Sequence, residues 1–130
     1  MPRYIRQPES WLRKFGLAFR GIWLGVRTQR SFWVHLPVAA AVVIGAALHG
    51  VTLLEWAILI LCITVVLGAE AFNTALEFLS RAVTEDENHD VRHALDVASG
   101  AVLITAIGAA TVGSLILLTR LAAAIQSWLR

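Results

Sequence analysis

Two stretches of this 130-residue chain run without formal charge for longer than a membrane is thick: residues 31–54, between Arg30 and Glu55, and Val97 to Thr119. As helices rising 1.5 Å per residue they reach about 35 Å, against a hydrocarbon core of about 30 Å. A third apolar run begins at Trp56 and continues as AILILCITVVLGAEAFNTALEFLSRAV. Composition agrees. The chain is 58% hydrophobic and 15% charged, whereas a soluble domain carries about 45–50% apolar and about 25% charged residues. Too few polar groups are present to cover a water-facing globule, and high apolar content excludes disorder. The length allows one domain, residues 1–130, built as an all-α integral membrane fold.

The spans are placed at about residues 32–51, 54–81 and 92–121, with a tight turn at His49-Gly50-Val51-Thr52. Pro37 falls near the start of the first, where a missing amide hydrogen costs little. Ahead of them, about residues 8–28 form an amphipathic surface helix: Trp11, Phe15, Ala18 or Phe19, Ile22 and Val26 recur every three or four residues, while Arg13, Lys14, Arg20 and Arg27 take other faces. The loop TEDENHDVRH offers Thr84, Asn88 and Asp90 as caps, and the last helix is expected to start near Asp90 to His93.

Charge sets the orientation. Arg3, Arg6, Arg13, Lys14, Arg20, Arg27 and Arg30 stand in the first thirty residues against the lone acid Glu9, so this end and the Arg81/Arg92 loop face the cytosol and the Gly50 turn faces outward. Arg120 and Arg130 then lie outside, against the rule. Trp11, Trp23, Trp33, Trp56 and Trp128 read as headgroup anchors. The opening residues MPRYIRQPESW hold no signal-peptide core. Cys62, the single cysteine, excludes an intrachain disulfide. There is no zinc-ligand spacing and no Walker-type phosphate loop. The basic residues follow a membrane-surface helix, so nucleic acid is not an expected partner. Gly21-x-x-x-Gly25 reads as a site of close helix packing.

An acid inside a spanning helix costs several kcal/mol and is a functional-site hypothesis by default. Glu70, Asn73 and Glu77 are spaced i, i+3, i+7, on one helical face, with the carboxylates about 10 Å apart along the axis. Glu70 lies deeper and Glu77 nearer the cytosol, where Asp96 enters from the next helix. Such a descending polar face suits reaction between a water-soluble reactant and a lipid. Oxygen ligands at the interface can hold Mg²⁺ with nucleotide phosphates, and a deeper carboxylate can take a proton from a lipid hydroxyl. The bland alternative is that these residues bond between helices and fix oligomer register.

The stretch Ala69-Glu70-Ala71-Phe72-Asn73-Thr74-Ala75-Leu76-Glu77 resembles the E-x-x-N-x-A-x-E signature of the prokaryotic diacylglycerol kinase and undecaprenol kinase family. Ala94 to Leu103 resembles its A-K-D-x-x-x-x-A-V-L segment, and Phe19-Arg20-Gly21 and Arg27 to Phe32 resemble its early segments. The resemblance spans about Trp11 to Leu118. It implies a homotrimeric ATP- and Mg²⁺-dependent lipid kinase of the bacterial inner membrane, with active sites between subunits at the cytosolic face, acting on diacylglycerol or undecaprenol. By position it implies Glu70 as catalytic base, Glu77 and Gln29 at the metal, and Asn73, Glu77, Asp86, Glu87, Asn88, Leu95 and Asp96 as nucleotide-contacting positions. The surface helix around Ser10 to Arg20 would help cover the substrates. This chain departs from the pattern twice: Leu95 replaces the Lys that neutralises phosphate, and Gln29 replaces a second metal-binding Glu. Arg92 and His93 are the nearby substitutes for the missing cation, but on a helix they are expected on faces other than that of position 95. Two other readings stay open: a noncatalytic divergent member acting as scaffold, and a small proton- or ion-conducting oligomer centred on Glu70.

Overall fold

The computed structural model describes residues 10–84 and 86–129; positions 8 and 9, where the surface helix is expected to start, lie outside them. Four helices follow in order: α1 (Trp11–Thr28), α2 (Phe32–Leu48), α3 (Leu53–Val83) and α4 (His89–Trp128). The all-helical class is the one the apolar runs imply. By length and composition α3 and α4 can each cross a membrane, while α1 and α2 qualify only as a bent pair, meeting at 105°.

That bend is built by local chemistry. Ser10 caps α1 by accepting from the Arg13 amide, and the helix ends where Gln29 becomes extended, its amide still bonded to the Gly25 carbonyl at 3.0 Å. Phe32 then buries its ring against Gly25, where a Cβ would stand 3.2 Å from the ring edge. The Trp33 indole donates to the Val26 carbonyl at 3.1 Å and ties the corner. Of the Gly21/Gly25 pair only Gly25 is a close-packing site, since no atom lies within 4 Å of a Cβ at Gly21.

Helix α2 stops at Leu48, short of the expected residue 51, because Gly50 adopts φ +61° and reverses the chain. The His49 amide bonds to Gly45 and the Val51 amide to Ala46, the pairing of a glycine-terminated helix. At 17 residues, α2 is about 25 Å long. Pro37 is its sixth residue, inside the helix rather than in its first turn, and it deletes the bond its amide would have made to the Trp33 carbonyl. Thr52 and Glu55 start α3 as a reciprocal capping box.

The two long helices overrun their expected ends. Asn88, not Asp90, caps α4, its side chain accepting from the Asp90 and Val91 amides, while Thr84 closes α3. At the far end Arg120 does not terminate α4. Its guanidinium forks onto Glu55 at 3.1 and 2.5 Å, and good helix formers carry the helix on to Trp128. Arg120 is thus matched by an acid at the start of α3.

Helices α3 and α4 pack lengthwise, with Gly113 against Leu59, and α2 lies more loosely on them. The small apolar core, Ala46, Val51 and Leu59 with Val42, Trp56, Ile116 and Leu117, sits at the Gly50 end. Trp56 thus packs inward and is not a free anchor, whereas Trp11, Trp23, Trp33 and Trp128 are exposed. Leu103, Ile104, Ile107, Leu115 and Leu118 face outward along α4, an apolar surface of a kind that water-facing monomers do not carry.

Gly25→Val should push Phe32 out of the corner and destabilise the fold by about 1–3 kcal/mol, the usual cost of overpacking. Thermal unfolding in detergent should register this loss, with Gly21→Val unchanged as the control.

Candidate functional site

Three of the ten buried residues of the described chain are polar, and they are neighbours: Glu70, Asn73 and Thr74, at 2%, 8% and 5% exposure. Helix α3 places them with half-buried Glu77 on the face turned toward the α1–α2 corner and α4. The spacing argument holds in three dimensions, and each carboxylate has hydrogen-bond partners brought from far away in sequence.

Glu77 is the junction. Its Oε2 accepts from Gln29 Nε2 at 2.7 Å, across 48 positions of sequence, and its Oε1 accepts from Asn73 Nδ2 at 3.0 Å. Arg81 approaches the same Oε2 at 3.8 Å from a mostly exposed position one turn on, its guanidinium over the Phe78 ring. Two turns away on α3, Ser31 donates its hydroxyl to Glu70 Oε1. Asn73 is fixed from its other side by Ser99 of α4, which donates to Oδ1 at 3.4 Å. Gln29 and Ser31, two residues apart in the corner, therefore latch onto Glu77 and Glu70, seven residues apart on α3. Buried charge is tolerated on such terms, with donors aimed at its oxygens.

The remaining expected residues divide. Asp96 is exposed on α4 and, among the described residues, makes no hydrogen bond or ion pair, so one chain does not bring it into the cluster. Asp86, Glu87, Asn88 and Leu95 line a separate cleft of about 420 Å³ together with Arg81 and Arg92. Asn88 spends its Oδ1 on the α4 cap, leaving its amide nitrogen available. Arg92 and Leu95 line the same cleft, against the sequence expectation of different faces: positions three apart on a helix are neighbours. His93 is not part of it. Among the described residues no three His, Cys, Asp or Glu side chains converge on a metal position. Glu77, Gln29 and Asn73 bring one carboxylate and two amides together, with both amides turning their nitrogens to the carboxylate and the Asn73 oxygen taken by Ser99.

Ser31, Ser99 and Thr74 have no assigned role in the sequence reading. Single hydroxyls in an apolar run look like filler, and nothing in a linear string says that Ser31 meets Glu70. Below the polar cluster, an apolar groove of about 540 Å³ runs between α2, α3 and α4, from His35, Val66 and Leu67 to Leu117.

Comparison with known proteins gives the family. The family model for prokaryotic diacylglycerol kinase matches residues 16–117. An undecaprenol kinase of Bacillus subtilis is 35% identical over 113 residues, covering 87% of this chain and 92% of the relative. A diacylglycerol kinase of Synechocystis is 36% identical over 107 residues, covering 78% of this chain and 61% of the relative. No solved structure gives a significant match. The matched region holds the whole polar seam from Gln29 to Ser99, and on these grounds the chain belongs to the prokaryotic diacylglycerol kinase family of membrane-bound lipid kinases.

Proposed function

We propose that this protein transfers the γ-phosphate of ATP to the hydroxyl of a membrane lipid alcohol, diacylglycerol or undecaprenol, at the cytosolic face of the bacterial inner membrane. The observation that carries the reading is the buried seam itself. Glu70 and Glu77 are held at two depths on one face of an apolar helix, each oxygen-bonded to the α1–α2 corner. The apolar groove that begins one turn below Glu70 suits a hydrocarbon chain, while the cleft at Arg81 and Arg92 suits an anion.

In this reading Glu70 is the general base. The lipid O–H gives its proton to the Glu70 carboxylate as the oxygen–phosphorus bond to the γ-phosphate forms, and the bond from that phosphorus to the bridging oxygen breaks to release ADP. Ser31 holds Oε1, which leaves the second oxygen of Glu70 to take the proton. Glu77 with Gln29 and Asn73 would hold Mg²⁺, which when bound neutralises phosphate charge. Asp86, Glu87, Asn88, Leu95 and Asp96 are the proposed nucleotide-side positions. Leu95 brings no charge, and Arg92 and Arg81 beside it supply the cations. A single chain offers one carboxylate at the metal position and leaves Asp96 outside the cluster; in the homotrimer that the family resemblance implies, a neighbouring copy would supply what is missing. A proton-conducting role is less well supported, because the polar seam ends at Glu70 and the groove beyond it is lined mainly by apolar side chains, with only His35, Cys62 and Ser114 between them.

Two measurements test the reading. Purified protein with labelled ATP and Mg²⁺ should phosphorylate at least one of diacylglycerol and undecaprenol presented side by side in mixed micelles, and Glu70→Gln should lower that rate by about 10² or more, the usual contribution of a general base. Transfer to neither lipid would leave the noncatalytic scaffold as the better account. Gln29→Glu replaces a neutral donor by a carboxylate, and the Mg²⁺ concentration for half-maximal rate should fall several-fold. An unchanged Mg²⁺ dependence would remove Gln29 and Glu77 from the metal site.

A further inference from the structure

Six of the threonines lie inside helices, and five of them return their hydroxyl to the backbone one turn back. Thr28, Thr64, Thr111 and Thr119 donate to the carbonyls of Leu24, Ile60, Ile107 and Leu115, and Thr105 donates to Val102, all at 2.8–2.9 Å. That bond is always within reach for a helical threonine, so a buried hydroxyl need never go without it. Thr74 is the exception: it is 5% exposed, and its Oγ1 is fully buried with no hydrogen-bond partner among the described residues.

Leaving a buried hydroxyl unpaired costs its desolvation without return. The cost falls next to Glu70, which lies four residues earlier on the same helical face, and next to Asn73, both buried. Glu70 has one oxygen occupied by Ser31, and Asn73 is bonded on both sides. Glu70 keeps a second oxygen that makes no hydrogen bond among the described residues, and Thr74, one turn along the same face, contributes a hydroxyl committed to nothing.

We propose that Thr74 is a substrate-binding residue whose hydroxyl pairs with the alcohol group of the lipid and seats it against Glu70. The proposal rests on the lipid-kinase reading and adds a recognition group to it. An alcohol is the matching ligand because it both donates and accepts: its O–H points to the free oxygen of Glu70 while its oxygen accepts from Thr74. A tail without that hydroxyl could fill the apolar groove but would leave both partners unmatched.

The test separates binding from transfer. Full-length protein in detergent micelles is melted alone, with a short-chain diacylglycerol, and with the propanediol diester of the same acyl chains, which lacks the free hydroxyl. Wild type should be stabilised more by the diacylglycerol than by the diester. Thr74→Val removes only the hydroxyl from a buried, nearly isosteric side chain, so it should melt at or above the wild-type temperature, and it should respond equally to both lipids. Its kcat/KM for the lipid should fall about tenfold or more, the effect of one lost hydrogen bond to a buried partner, with KM for ATP within about twofold. Thr74→Ser, which keeps the hydroxyl, should restore the discrimination. A Thr74→Val protein that still discriminates the two lipids would overturn the proposal, as would one that melts lower and loses its oligomeric state, which would make the hydroxyl a contact between subunits. If wild type discriminates the lipids but transfers no phosphate, the catalytic reading fails and the binding role stands.

Discussion

The fold is organised around the difficulty of keeping two carboxylates inside an apolar helix. Glu70 and Glu77 cannot be left bare at that depth, and α3 by itself offers only Asn73 and a distant Arg81, both to Glu77. The solution is the α1–α2 corner, a three-residue break whose Gln29 and Ser31 side chains reach the two acids. Once the corner is needed there, much else follows. α1 must leave the bundle at a steep angle, Gly25 must be bare so that Phe32 can fill the inside of the bend, and α2 must begin beside the polar end of α3.

The opposite end of the bundle has a different construction. The Gly50 reversal, the Thr52–Glu55 capping box and the Arg120–Glu55 fork fix where α2, α3 and α4 stand relative to one another. The little true core of the chain gathers at this end around Ala46, Val51 and Leu59. The rigid end and the chemical end are therefore separate, joined by the long pairing of α3 and α4. Between them the apolar groove is loosely closed by α2, which suits a protein whose proposed substrate arrives from the lipid phase.

Much of this was legible in the amino-acid string. Charge-free runs long enough to cross a bilayer, the Gly50 turn and the i, i+3, i+7 spacing of Glu70, Asn73 and Glu77 each depend on local periodicity, which a linear sequence displays directly. Helix limits were less legible. Residues 32–51 contain nothing polar enough to stop a helix at Leu48, and the stop comes from the positive φ of Gly50. At the other end the span is expected to stop near 121, whereas α4 runs on to Trp128 with Arg120 held by Glu55. Arg92 shares a cleft with Leu95 because a three-residue step nearly closes one helical turn, and Trp56 reads as an anchor in the string because its inward neighbours come from α2 and α4.

The sequence by itself determined that this chain is helical, membrane-embedded and marked by acids placed where acids are costly, since hydrophobic periodicity and burial cost are properties of single segments. Only the tertiary structure decided what satisfies those acids. The contacts of Gln29 with Glu77 and of Ser31 with Glu70 join positions about 40 or more apart, the solitary hydroxyl of Thr74 is recognisable only against its hydrogen-bonded peers, and Asp96 is left outside the cluster of one chain. Such facts arise from how helices pack, and packing is a relation between segments that no segment encodes alone.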